Sequence, residues 1–122
     1  MRHTILVADD EAILRALVRE TLSSGGYAVL EAADGDEALD LARSARPDLI
    51  VLDLMMPGKS GLEVLRELRA DPELAATPVV MLTARARAAD REAAAAAGAD
   101  RFLAKPFSPQ ELARIVADVL DD

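Results

Sequence analysis

The chain has 122 residues, a net charge of −8, and a composition that is 52% hydrophobic but only 2% aromatic. That length suits one domain whose core is built from Leu, Val, Ile and Ala, and the composition excludes intrinsic disorder. The absence of Cys rules out disulfides and Cys-ligated zinc, and a lone histidine at His3 argues against a Ser-His or Cys-His nucleophile pair. The acidic balance without a basic cluster argues against direct nucleic-acid binding. No apolar run approaches the roughly 20 residues of a membrane span, and the N-terminal one is too short for a signal peptide, so a cytoplasmic domain is expected.

Short apolar runs alternate along the chain with longer amphipathic segments. Ile5-Leu6-Val7-Ala8 comes first, and "EAILRALVRETLSS" follows it as a helix with Ile13, Leu14, Leu17, Val18 and Leu22 on one face and Gly25-Gly26 closing it. Tyr27-Ala28-Val29-Leu30 is the second run; "DEALDLARSA" follows Asp34-Gly35 and is stopped by Pro47. Leu49-Ile50-Val51-Leu52 is the third, followed by "SGLEVLRELRA", which opens on Ser60 with Glu63 three residues later as a capping box. Val79-Val80-Met81-Leu82 precedes the Ala-rich "ADREAAAAAGAD", with Gly98 at its C-cap. Phe102-Leu103-Ala104 precedes "SPQELARIVADVL", with Ser108 as N-cap, Pro109 at the first helical position and Glu111 completing the box.

Most of the apolar runs are nearly continuous, as in strands buried on both faces of a parallel sheet. Five β-α units with right-handed crossovers predict an α/β, doubly wound parallel sheet, eight units being needed for a barrel. In such a sheet the functional site lies at the carboxyl ends of the strands. There the sequence delivers Asp9-Asp10, Asp53, Thr83 and Lys105-Pro106. Any one of these is an ordinary cap or turn residue. Together they place three carboxylates, one ammonium and one hydroxyl on one edge. Clustered carboxylates repel unless a proton or a cation offsets them. A hard divalent cation such as Mg²⁺ does so, keeping water sites for a phosphate. A site with Mg²⁺, a Lys and a hydroxyl suits stabilisation of a phosphoryl group, and a carboxylate can itself accept one as an acyl phosphate. Asp53 is the candidate acceptor, with the Asp9-Asp10 pair at the metal end.

The motifs "LVADDE", "VLDLMMPGKSG", "VVMLTA" and "GADRFLAKPF" closely resemble the receiver domain of two-component response regulators, over nearly the whole chain. The resemblance implies a flavodoxin-like (βα)5 fold with strand order 2-1-3-4-5, as one receiver domain over residues 1–122. It implies that Asp53 takes a phosphoryl group from a sensor histidine kinase or phosphotransfer protein. Mg²⁺ would be held by Asp10, Asp53 and the backbone carbonyl of Met55, with Asp9 acting through water. Lys105 would pair with Asp53 or its phosphoryl oxygens, Thr83 would hydrogen-bond the phosphoryl group, and Phe102 would be the aromatic switch. The Lys105-Pro106 bond would be cis. The face of the fourth helix, fifth strand and fifth helix would then control an output domain or a downstream protein, or form a homodimer on phosphorylation. Arg91 and Glu111 fit one ion pair of that dimer mode, whereas Arg101 stands where the transcription-factor branch has an acid. Met55 and Arg85 occupy the positions that flank the attacking water.

Two other readings compete. A haloacid-dehalogenase-type phosphatase needs D-x-D after the first strand, and neither "ADDEA" nor "DLMMP" supplies it. A phosphorylation-independent pseudo-receiver acting as a protein-binding module would have lost key residues, and all are present. Apart from phosphorylation and dephosphorylation at Asp53, no enzyme activity is expected.

Overall fold

The computed structural model describes residues 3–84 and 88–120. In chain order the elements are β1 (Thr4–Ala8), α1 (Ala12–Ser24), β2 (Ala28–Ala32), α2 (Gly35–Ala45), β3 (Leu49–Asp53), α3 (Gly61–Ala70), β4 (Val79–Thr83), α4 (Ala88–Ala97), β5 (Arg101–Ala104) and α5 (Pro109–Leu120). The five strands are parallel and run β2-β1-β3-β4-β5 across the sheet, the predicted doubly wound order.

Strand periodicity divides the core into two layers, because successive side chains leave opposite faces. Leu6, Ala8, Ile50, Leu52, Val79 and Met81 pack with Leu39, Leu65 and Leu68 beneath α2 and α3. Ile5, Val7, Leu49, Val51, Val80, Leu82 and Leu103 pack with Val18, Leu22, Leu112 and Val116 beneath α1 and α5. Extrapolated past the strand ends, the same parity carries Asp9, Asp53 and Lys105 toward the second layer.

The helix boundaries follow from local chemistry. Ser60 accepts from Glu63 N and Glu63 returns the bond to Ser60 N, a closed capping box on α3. Ser108 and Glu111 repeat the exchange on α5. Asp34 caps α2 through Glu37 N, while α1 ends as Gly26 turns to φ 91°. The apolar face assigned to α1 needs correction. Val18 and Leu22 are buried and Leu14 is partly so, but Ile13 is 88% exposed and Leu17 41% exposed. Residues 13 and 17 are four apart and share a strip. Leu17 lines a groove together with Pro106 and Phe107 of the β5–α5 loop.

At the opposite edge of the sheet from the polar strand ends, Arg69 ties several segments together. Its guanidinium donates to the carbonyls of Ala75, Thr77 and Gly98 and to Asp100 Oδ2, at 2.7–3.1 Å. Asp100 in turn accepts from Val79 N at 2.8 Å. Arg69→Ala strands several of these carbonyls, some part-buried, and is expected to cost about 2–3 kcal/mol. Urea denaturation would check this; a loss below 0.5 kcal/mol, ordinary for a surface change, would contradict it.

Candidate functional site

The strand register brings the polar residues to one edge. Asp53 pairs with Leu82 and Thr83 with Ala104, while Asp9 follows the last pair of β1 and β3, Ala8 with Leu52. Asp9, Asp53 and Thr83 are all buried, at 0%, 3% and 3% exposure. Asp10 and Met55 are exposed. One carboxylate oxygen from each of Asp9, Asp10 and Asp53 lies within 4.8 Å of the others.

Lys105 is the cation of the cluster. Its Nζ stands 3.0 Å from Asp9 Oδ2, 3.3 Å from Asp53 Oδ2 and 3.5 Å from Glu11 Oε1. Burial alone would lower its pKa, but Asp9 and Asp53 outweigh that and raise it, so Lys105 stays charged. The pKa of Asp53 is raised from 3.8 to about 6. Burial is the main cause and the Asp9 carboxylate the next, with Lys105 and the Met55 amide opposing them. One ammonium therefore undercompensates two buried carboxylates.

Asp9 and Asp10 are used differently. Asp9 Oδ1 accepts from Glu11 N at 2.9 Å, and the Asp9 carbonyl accepts from Arg15 Nη1 at 2.7 Å. Asp9 Oδ2 faces Lys105 as an ion pair outside hydrogen-bond geometry, so this buried oxygen has no hydrogen-bond partner. Among the described residues, Asp10 has no hydrogen bond or ion pair to protein and offers both oxygens. Three clustered carboxylates, two of them buried and sharing a single ammonium, leave negative charge that a hard cation such as Mg²⁺ fits. Asp9, Asp10 and Asp53 are the carboxylates close enough together to hold it.

The remaining predicted residues fall around this centre. Thr83 ends β4 and is buried at the same edge. Phe102 is half-buried on β5, opposite Met81, against the layer that includes Ala94 of α4. The Lys105-Pro106 bond is cis. Arg85 lies outside the described residues. Sequence reasoning did not single out Glu11 as a third partner of Lys105, nor Arg15, which grips the Asp9 carbonyl while pairing with Glu31 on β2. Adjacent acids are visible in sequence, but which one shares a lysine across the sheet depends on tertiary distance.

An open parallel α/β sheet of order 2-1-3-4-5 with an acidic triad and a lysine at its carboxyl edge defines a response-regulator receiver domain, and the chain belongs to that family: the response regulator receiver domain model matches residues 5–117. Among curated relatives, it is 50% identical over 108 residues to the transcriptional regulatory protein ResD of Bacillus subtilis, covering 88% of this chain and 44% of that protein. It is 49% identical over 112 residues to the response regulator MprA of Mycobacterium bovis, covering 92% and 48%. The chain thus spans less than half the length of these relatives. Among solved structures, the chemotaxis response regulator CheY4 of Vibrio cholerae superposes with a TM-score of 0.94 at 37% identity, covering 98% of this chain and 100% of that one. A CheY-like receiver domain protein of Methanospirillum hungatei gives 0.93 at 26% identity, covering 99% and 95%.

Proposed function

We propose that residues 1–122 form one receiver domain in which Asp53 accepts a phosphoryl group and thereby switches the surface built by α4, β5 and α5. The observation that carries this reading is the buried Asp53 carboxylate, 3.3 Å from Lys105 Nζ, in a cluster with two further carboxylates. As a carboxylate, Asp53 attacks phosphorus; the bond from phosphorus to the donor breaks, and the leaving imidazole of a phosphohistidine keeps the electron pair and takes up a proton. Mg²⁺, when bound, neutralises charge on the transferring group. Lys105, already charged beside Asp53, follows a phosphoryl oxygen. The Thr83 hydroxyl supplies a hydrogen bond from the neighbouring strand. The acyl phosphate adds charge and acceptor oxygens that draw Lys105 and Thr83. Their movement toward it shifts the loop after β4, with Phe102 following, and a downstream partner or output domain reads the new face.

The test is Mg²⁺-dependent labelling by acetyl phosphate, read as an acid-stable, base-labile mass increment by intact-protein mass spectrometry. Equal labelling of wild type and Asp53→Ala would sink the acceptor assignment; no labelling of either would favour the phosphorylation-independent module.

The donor is a histidine kinase or phosphotransfer protein, the partners that receiver domains serve. Its docking site is the groove of about 410 Å³ lined by Leu14, Leu17, Pro106 and Phe107, which opens directly onto Glu11 and Lys105. Ile13, 88% exposed, extends the same apolar strip along α1. Ile13→Glu with Leu17→Glu is expected to slow transfer from the cognate phosphohistidine at least tenfold while leaving labelling by acetyl phosphate within twofold. A parallel fall in both would place the defect in the acceptor site instead.

A further inference from the structure

The β3–α3 loop, residues 54–60, holds the Met55 carbonyl and leads directly from Asp53; Leu54 and Met56 pack against the core, and Lys59 pairs with Glu67 and Asp36. Two glycines also hold it, by lacking a side chain. A Cβ on Gly61 would overlap the Asp53 carbonyl oxygen and lie 2.8 Å from Leu54 Cα. A Cβ on Gly35 would lie 2.5 Å from the Lys59 carbonyl oxygen and 2.7 Å from Lys59 Cβ. Neither has a positive φ, so neither is required for backbone conformation. Each is the first residue of its helix, α3 and α2 respectively, where alanine would otherwise be favoured. The glycines are thus demanded by close approach alone. The approach is fastened by Gly61 N donating to the Leu54 carbonyl at 2.9 Å and by the Ser60–Glu63 capping box.

We propose that Gly61 and Gly35 are positioning residues for the acceptor site, clamping both ends of the β3–α3 loop so that the Asp53 carboxylate and the Met55 carbonyl stand at one fixed separation. The Gly61 contact is with backbone of the acceptor residue itself, so an added methyl cannot be absorbed by a side-chain rotation. It must displace either the end of β3 or the start of α3. The proposal rests on the Mg²⁺-dependent acceptor reading above, since it assigns these glycines through the geometry of that site.

The experiment compares Mg²⁺ affinity, from amide chemical-shift titration, with unfolding in urea. Gly61→Ala and Gly35→Ala are measured beside Gly98→Ala. Gly98 has φ 106°, and a Cβ there meets Arg69 Nε at 2.8 Å, so its substitution strains the fold at the far edge of the sheet. Expected is a fivefold or larger weakening of Mg²⁺ binding in Gly61→Ala, a smaller weakening in Gly35→Ala, and less than twofold change in Gly98→Ala at comparable loss of stability. If Gly61→Ala does not fold, a Mg²⁺ affinity in folded Gly35→Ala matching Gly98→Ala overturns the clamp, and a weakened one supports it. Wild-type affinity retained in Gly61→Ala, or equal weakening in all three, overturns it while leaving the acceptor reading intact. A wild type that binds no Mg²⁺ overturns the acceptor reading and the clamp together.

Discussion

Asp53→Asn is expected to abolish phosphoryl acceptance while making the Mg²⁺-free domain more stable at neutral pH. The first half follows from chemistry, because an amide is not a nucleophile that forms an acyl phosphate. The second follows from the raised pKa of Asp53, about 6 against 3.8. A carboxyl whose folded-state pKa lies above its unfolded value favours folding in its protonated form. That contribution is complete below about 4 and is lost as pH rises through about 6, leaving the wild type strained above it. The shift corresponds to about 3 kcal/mol. Lys105 loses one of its two buried partners in the variant, which offsets part of this. A net gain of about 1–2 kcal/mol, or about 4–8 °C in Tm, is expected at pH 7.5 in EDTA. It should shrink toward zero near pH 4. Saturating Mg²⁺ should reverse the order, since only the wild type keeps the full ligand set and ligand binding stabilises by mass action. Thermal melts across pH with and without Mg²⁺ measure all of this. A variant less stable than wild type in EDTA at pH 7.5 would show that the buried carboxylate is satisfied without a cation.

The second large effect separates the adjacent acids. Asp10→Asn is expected to weaken Mg²⁺ binding tenfold or more with little change in stability, because Asp10 is exposed and makes no hydrogen bond or ion pair with the other described residues. Asp9→Ala is expected to do the reverse. It is fully buried, caps the turn through Glu11 N and shares Lys105. Its loss should cost about 2–3 kcal/mol of stability and weaken Mg²⁺ binding less than Asp10→Asn does. Calorimetric titration together with urea denaturation resolves both axes. The opposite ranking in Mg²⁺ affinity would make Asp9 the direct ligand.

Much of this architecture was readable from residue order. The continuous apolar runs announced strands buried on both faces, and the capping boxes at Ser60 and Ser108 marked the starts of α3 and α5. The strand-end rule then gathers Asp9, Asp10, Asp53, Thr83 and Lys105 onto one edge from residue order alone. What could not be read depends on distances between segments. Helical periodicity put Ile13 and Leu17 with the buried residues of α1, but periodicity tells which residues share a face and not how wide the covering sheet is. The reach of Arg15 to the Asp9 carbonyl, the choice of Asp9 over Asp10 by Lys105, and the contact of Gly61 with Asp53 are all set by packing between elements far apart in sequence.

Helix α4 is composed mostly of alanine, and among its described side chains only Ala94 is buried. A buried methyl contributes on the order of 1 kcal/mol, against roughly 2–3 for each leucine that seats α3. Among the described residues, this single buried side chain gives α4 a shallower seat than the leucines of α3 provide. A shallow well is what lets a small stimulus act over a distance. On the proposed reading of the switch, enlarging the alanines that face the sheet would deepen the seat of α4 and damp its response without altering the acceptor site.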